Sequence, residues 1–183
     1  VPYVRGRERS RAPEDVLREA RELVDAGYKD ITLLGQNVNS YGKNTQAGWD
    51  FADLLDRLCQ EEWEFLIRFM TSHPKDASEK LFQVMAKNTK AAKHLHLPFQ
   101  SGSSRVLRAR KYMPDVTLSS DVIVGFPNET QEEFEETLSL IEKVRFDNLF
   151  TFIYSKREGT AAAKIDDKVT MEEKKRRFQQ LLE

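Results

Sequence analysis

The sequence contains a single cysteine, Cys59, among its 183 residues. One thiol cannot form an internal disulfide, and it cannot supply the several thiolates of a zinc site or an iron–sulfur cluster. No apolar run approaches the ~20 residues of a membrane-spanning helix, and residues 1–10 lack the apolar core of a signal peptide. We therefore expect a cytoplasmic protein that makes no membrane contact and is stabilised by packing.

The sequence also lacks the short motifs of several common enzyme classes. There is no GxSxG elbow, no HExxH pair and no phosphate-binding GxxxxGK[ST] loop, so nothing supports a serine hydrolase, a zinc peptidase or a P-loop enzyme. His94 and His96 would lie on the same side of a strand, where packing is a commoner role than metal binding. No histidine metal site is predicted.

The residues that are present indicate one globular domain over residues 1–183, because 39% are hydrophobic, 32% are charged and the net charge is -1. Positive charge is concentrated in "VRGRERSR", which contains Arg5, Arg7, Arg9 and Arg11. A guanidinium can make paired hydrogen bonds to phosphate, so this arginine strip is either a phosphate-binding segment or a solvated terminus. A second basic run, "KKRR" at 174–177, follows two glutamates and is expected to form the outer face of a helix.

Short apolar runs alternate with amphipathic helical segments along the chain. Strands are predicted at about 30–35, 66–72, 94–99, 117–126 and 148–155. This alternation is typical of a parallel α/β fold, wrapped as a barrel, a partial barrel or an open sheet. Only sixteen residues separate the third and fourth strands, so the sequence predicts a short helix at 104–110 or an irregular connection.

The loops after these strands should contain the functional site, since ligands of parallel α/β folds bind at the carboxyl ends of strands. The first of them, within "TLLGQNVNSYG", is rich in amides and carries no charge. Such loops suit a small molecule that brings its own reactivity. Asp121 lies inside an apolar strand and binds either a ligand or the neighbouring serines. Glu129 stabilises a helix N-terminus, and "QSGSS" is either an anion site or a plain turn.

Six motifs in this order resemble the radical S-adenosylmethionine core of the tRNA methylthiotransferases: "VPYVRGRERSR", "GQNVNSYG", "RFMTSHPKD", "HLHLPFQSGS", "SDVIVGFPNET" and "FTFIYSKREGT". The resemblance implies a partial (β/α) barrel that holds S-adenosylmethionine and a [4Fe–4S] cluster. It further implies radical methylthiolation at C2 of N6-dimethylallyladenosine in tRNA.

The resemblance also implies roles for individual residues. Gln36 and Asn37 would lie near the amino-acid end of S-adenosylmethionine, and Gly125 would lie in the loop that approaches its adenosine. Further cofactor-facing residues at strand ends would be Ser72, Gln100, Ser101 and Asp121. Arg5, Arg7, Arg9 and Arg11 would face tRNA phosphates.

The chain departs from the family in three respects. The CxxxCxxC loop that precedes the equivalent of "VPY" is not among these residues, so the ligands of the cluster are missing. The family's auxiliary-cluster and RNA-binding domains are expected to be absent, and a helix-sized segment is missing between "RVLRA" and "YMPD". We therefore expect an inactive, monomeric core. The alternatives are a non-catalytic tRNA- or phosphate-binding module and, with less support, a phosphate-sugar enzyme.

Overall fold

The computed structural model describes residues 9–35, 37–43, 48–70, 73–98 and 104–183. The chain divides into two compact units, one formed by Val1–Leu97 with Ser104–Thr117 and the other by Pro98–Ser103 with Leu118–Glu183. In the described part of the chain, no helix combines the length and the apolarity that spanning a membrane requires.

The first unit alternates helices and short strands. Its elements are α1 (Pro13–Asp25), β1 (Asp30–Leu33), α2 (Phe51–Cys59), β2 (Leu66–Phe69), α3 (Glu79–Lys87), β3 (His94–His96) and α4 (Ser104–Tyr112). β1 and β2 pair in parallel with Ile31 opposite Ile67, and Ile67 also forms a parallel bridge to Ala91. The strands are therefore the parallel strands that the alternating pattern predicted.

Helix boundaries in this unit follow local sequence signals. Pro13 and two acidic residues occupy the first turn of α1, where a proline has no amide to leave unpaired and negative charge stabilises the helix dipole. Asp50 caps α2 in a reciprocal capping box with Asp53. The helices cover an apolar core that includes Leu55, Leu58, Ile67, Leu81, Phe82, Met85 and Leu95.

The second unit is built from β4 (Thr117–Val124), α5 (Gln131–Val144), β5 (Asn148–Ile153) and α6 (Met171–Leu182). β4 and β5 are parallel, with Ser119 opposite Asn148. Val122 and Val124 of β4 are buried against Phe134 of α5, with Phe178 and Leu181 of α6 packed on the same cluster. Ile123, which points to the other face of the strand, is exposed. The two helices thus cover one face of this β-pair.

Each predicted strand begins at the residue where the observed strand begins, but the predicted strands are longer than the observed ones. β1 stops at Leu33, β4 at Val124 and β5 at Ile153, each two residues before the predicted end. The predicted ends of the second and third strands, at residues 71, 72 and 99, lie outside the described residues. The short helix predicted at 104–110 is confirmed as α4, which continues to Tyr112.

Candidate functional site

Four polar residues meet at the carboxyl ends of β1 and β2. Asn37 Nδ2 donates to Asp76 Oδ2 at 2.6 Å, and the Asn37 side-chain oxygen accepts from the backbone amide of His73 at 3.2 Å. Lys43 Nζ donates to the other oxygen of Asp76 at 2.5 Å. We call Asn37, Lys43, His73 and Asp76 the Asn37 cluster. Through it, the Asn37 amide joins the loop after β1 to the loop after β2.

Asp76 carries the negative charge of the Asn37 cluster, opposite the positive charge of Lys43. Its side chain is only 8% exposed, and burial by itself would raise its pKa. The hydrogen bonds from Lys43 and Asn37 outweigh burial and lower the pKa of Asp76 below its usual value. The carboxylate is therefore ionised at neutral pH, and the Lys43 ammonium balances it.

A cavity of about 670 Å³ lies between α1 and β1. Arg9, Arg11 and Asn37 line it together with apolar residues, among them Val16, Leu23, Ile31 and Phe51. Tyr41 donates its hydroxyl to the Arg11 carbonyl at 2.8 Å, and the Gly42 amide donates to Ser10 Oγ at 3.0 Å. The structure thus brings the described end of the arginine strip beside the loop after β1, although Arg11 is also paired with Glu19.

In the second unit, Asp121 lies in β4 opposite Phe150 of β5. The same face of the β-pair carries Ile123 and Phe152, which are 54% and 51% exposed. A half-buried carboxylate therefore stands beside accessible apolar side chains, a combination that suits a ligand with an apolar ring and a hydroxyl group.

Gly125 is the first residue after β4 and begins a tight loop, residues 125–129, which we call the Gly125 loop. Gly125 has φ +69° and Asn128 has φ +64°, both in the left-handed region. The Gly125 amide donates to Glu129 Oε2 at 2.9 Å, and the Glu129 amide donates to the Phe126 carbonyl at 2.9 Å. Glu129 thus closes the loop on itself, beyond the helix-stabilising role predicted from its position.

Two cations of α6 contact this loop, and sequence analysis missed them. Taken over the whole residue, Lys174 and Arg177 are 4% and 5% exposed. The expectation that "KKRR" forms an outer helix face is therefore wrong for these two residues. It is correct for Lys175 and Arg176. The spacing of Lys174, Arg177, Phe178 and Leu181 at i, i+3, i+4 and i+7 could have revealed the burial, because these positions share one helix face.

Carboxylates surround both buried cations. Arg177 Nη1 lies 2.7 Å from Glu129 Oε2 and its Nε lies 2.9 Å from Glu173 Oε1, while Lys174 Nζ lies 2.5 Å from Asp167 Oδ2. Hydrogen bonds from Arg176 and then Arg177 lower the pKa of Glu173 to about 2, and the bond from Lys174 lowers the pKa of Asp167. Glu173 and Asp167 therefore remain ionised at any physiological pH.

The remaining predicted site residues, Gln36, Ser72, Gln100, Ser101, Arg5 and Arg7, lie outside the described residues. Their roles stay predictions. The five that are described divide between the units: Asn37, Arg9 and Arg11 line one cavity of the first unit, and Asp121 and Gly125 lie in the second.

The residues do not fit an iron–sulfur cluster. Cys59, the one cysteine of the sequence, is buried at the end of α2, and burial raises its pKa to about 11, so it is a protonated thiol and not a thiolate. Among the described residues there is no group of three or more His, Cys, Asp or Glu that could hold a metal ion. His94 and His96, both half-buried in β3, belong to no such group.

Curated relatives match the chain from end to end. A tRNA-2-methylthio-N(6)-dimethylallyladenosine synthase from Acetivibrio thermocellus is 53% identical and is aligned with 100% of this chain and 42% of its own length. Proteins of the same name from Anoxybacillus flavithermus and Desulfitobacterium hafniense are 54% and 50% identical over 99% and 100% of this chain, and 38% and 44% of theirs. The chain is therefore homologous to these synthases and spans less than half of their length.

The alignment with the Acetivibrio protein covers 200 positions against 183 residues here, so that relative carries residues inside the matched region that this chain lacks.

The solved structure of SuiB from Streptococcus suis, bound to its precursor peptide SuiA, is similar in fold. It matches 96% of this chain and 39% of its own, with a TM-score of 0.52 and 15% sequence identity. The parallel α/β fold is accordingly the partial-barrel type found in radical SAM enzymes. Residues 1–141 match the Radical SAM superfamily, and the chain belongs to that family.

Proposed function

We propose that this chain is the radical SAM core of a tRNA methylthiotransferase that acts at C2 of N6-dimethylallyladenosine in tRNA in the cytoplasm. The observation that carries the proposal is identity of 50–54% with three synthases of that name across 99–100% of the chain. The match of residues 1–141 to the Radical SAM superfamily supports the same chemistry.

The described residues fit the nucleoside part of S-adenosylmethionine. Asp121 would accept a hydrogen bond from a ribose hydroxyl, and the exposed side chains of Ile123 and Phe152 would contact the adenine. The Gly125 loop would approach the same adenosine. When bound, S-adenosylmethionine supplies the radical chemistry of the superfamily, and these side chains orient it and exclude water.

No radical step is assigned to these residues by themselves, because the cluster that starts such chemistry requires thiolates. Cys59 cannot replace them, being single, buried and protonated. We therefore expect that the 183-residue chain binds no stoichiometric [4Fe–4S] cluster. A chain extended before Val1 by the three-cysteine loop of the family should bind one.

Anaerobic reconstitution with iron and sulfide tests this ligand assignment. Iron content and the charge-transfer absorption of the cluster are measured for three proteins: the chain, the extended chain, and the extended chain with its three loop cysteines replaced by serine. Only the second should contain a cluster. Stable incorporation by the first or third protein would show that the ligands have been assigned wrongly.

A non-catalytic tRNA-binding module is the second candidate, favoured by Arg9 and Arg11 at one cavity in a chain that lacks cluster ligands. Both candidates predict that tRNA affinity falls steeply with salt. Each phosphate contact contributes about one unit to the slope of log K against log salt, so replacing Arg9 and Arg11 by glutamine should reduce it by up to about two.

Arg18→Gln is the matched control for the salt titration, since Arg18 is an exposed arginine of α1 that pairs with Asp15. A salt-independent affinity, or an equal effect of Arg18→Gln, would remove the arginine strip from the RNA site. Binding of tRNA by a chain that never binds S-adenosylmethionine, even with the cysteine loop added, would favour the module over the enzyme core.

A further inference from the structure

The second unit buries two cations that no step of the proposed chemistry uses. The side chains of Lys174 and Arg177 are 5% and 6% exposed, and they lie on the face of α6 that packs inward. Burying a charge is costly unless it is paired, and both of these cations are paired with carboxylates. Their partners lie on the Gly125 loop and on the segment that precedes α6.

Arg177 holds the loop through Glu129. Its Nη1 donates to Glu129 Oε2 at 2.7 Å and to the Glu129 carbonyl at 2.9 Å. The same Oε2 atom accepts the Gly125 amide at 2.9 Å. One carboxylate oxygen thus connects a guanidinium of α6 to the backbone of the first residue after β4.

Lys174 packs on the loop at Gly125. A Cβ atom placed on Gly125 would lie 2.4 Å from Lys174 Cγ, so the aliphatic stem of the lysine packs directly on the glycine. The ammonium group continues past it to Asp167 and stands 5.0 Å from the centre of the Tyr154 ring. The Lys168 amide also donates to Asn128 Oδ1 at 3.4 Å.

These contacts add to the hydrogen bonds within the loop and hold it from outside. Asn128 is a non-glycine residue in the left-handed region, a conformation that persists when surrounding contacts hold it. Residues 125, 128 and 129 are each held by α6 or by the segment before it. The loop conformation therefore depends on side chains almost fifty residues away in sequence.

We propose that Arg177 and Lys174 are positioning residues that hold the Gly125 loop in the shape that receives the adenosine of the cofactor. The assignment of that ligand rests on the proposed function, whereas the restraint itself rests on the contacts above. Arg177 acts through Glu129 and the Gly125 amide, and it need not contact the ligand.

The test compares Arg177→Gln with Arg176→Gln in the full chain. Both changes remove one positive charge from adjacent positions of the same helix, but Arg176 is exposed and bonds to Glu173, Gln131 and Gln180, none of them in the loop. Hydrogen exchange of residues 125–129 is measured beside binding of 5′-methylthioadenosine. This probe has the nucleoside of the cofactor and lacks the amino-acid end that a cluster would hold.

Arg177→Gln should accelerate exchange at Gly125 by about tenfold, the effect of losing a charge-assisted hydrogen bond, and weaken nucleoside binding. Arg176→Gln should change neither. Arg177→Lys should recover part of both, because one charged donor to Glu129 remains while the planar fork is lost. Circular dichroism of each variant checks that the helix content of the protein is unchanged, and Arg177→Lys keeps the test valid if the glutamine variant unfolds.

The outcomes separate the two proposals. Unchanged exchange at Gly125 in a folded Arg177→Gln protein, or equal loosening by Arg176→Gln, would overturn the positioning role while leaving the proposed function standing. Accelerated exchange in Arg177→Gln, together with a wild-type chain that binds no 5′-methylthioadenosine, would support the restraint and overturn the assignment of the loop to a nucleoside.

Discussion

At the scale of single residues, Gly125 combines two constraints that usually occur separately. Its φ of +69° disfavours any side chain, and its Cα faces the stem of Lys174. Gly125→Ala should destabilise the protein by at least about 2 kcal/mol, since strain and overpacking both apply. Gly159→Ala is the control, because Gly159 has φ +81° with nothing within 4 Å and should cost only about 1 kcal/mol. If chemical denaturation shows that both substitutions lower the free energy of unfolding equally, the Lys174 side chain moves aside without an energetic cost.

Asp76 determines how the Asn37 cluster responds to acid. Its folded pKa is lowered, so its contribution to stability is present above its unfolded pKa and is lost as pH falls through the folded value, below about 3.8. Asp76→Asn should cost about 1.5–3 kcal/mol at neutral pH, the value of a hydrogen bond to a charged group. The difference between wild type and variant should shrink as the solution is acidified, as measured by urea unfolding at several pH values.

Asp30→Asn provides the comparison for that experiment. Asp30 pairs with Arg68, but both side chains are nearly half exposed, so the pair is solvated. Surface pairs contribute about 0–1 kcal/mol, and this substitution should have little effect at any pH. A wild-type minus Asp76→Asn difference that stays constant with pH would show that the charge of Asp76 is not what stabilises the cluster.

At the scale of secondary-structure elements, α5 depends on Thr130, the N-cap residue that precedes it. Thr130 accepts from the Glu133 amide, and the Glu133 side chain accepts from the Thr130 amide, which completes a capping box. Thr130→Ala should cost about 1 kcal/mol of unfolding free energy. Thr137→Ala, inside the same helix, should be neutral or slightly stabilising, because Thr137 only bonds back to the Glu133 carbonyl. Calorimetry measures the stability of both variants. Similar losses of stability would show that the Thr130 cap does not stabilise α5.

The elements also show what could be predicted from sequence. Strand starts and the Thr130 cap follow from local patterns, since apolar runs and capping residues act within a few positions. Strand ends were predicted late because apolar residues continue after the parallel ladder stops, as Leu34 does after β1, with 75% of its surface exposed. The buried cations of α6 were not predicted because charged residues normally lie at the surface. Their partners include Glu129, which is distant in sequence, and Asp167, which lies in the preceding loop.

At the scale of the whole molecule, Cys59 should make the stability of the first unit depend on alkaline pH. Its thiol is buried in α2, and its pKa of about 11 lies above the ordinary value of 9.0, with burial as the main cause. A group with a raised folded pKa stabilises the fold fully below its unfolded pKa, and this contribution is lost as pH rises towards the folded value. The first unit should therefore lose stability between about pH 9 and 11, when the unfolded thiol ionises and the folded one does not.

Tryptophan fluorescence can follow this loss, because Trp49 and Trp63 are the two tryptophans of the sequence and both belong to the first unit. Urea unfolding of the wild type should show falling stability across that alkaline range, and Cys59→Ala, which has no ionisable group, should show a smaller fall from a lower starting value. A disulfide reagent should meanwhile react slowly with the native chain at neutral pH and rapidly once it is unfolded, since the thiolate is the reactive form. Rapid reaction of the native protein would mean that the thiol is accessible, and the prediction of alkaline destabilisation, which rests on its burial, would fail with it.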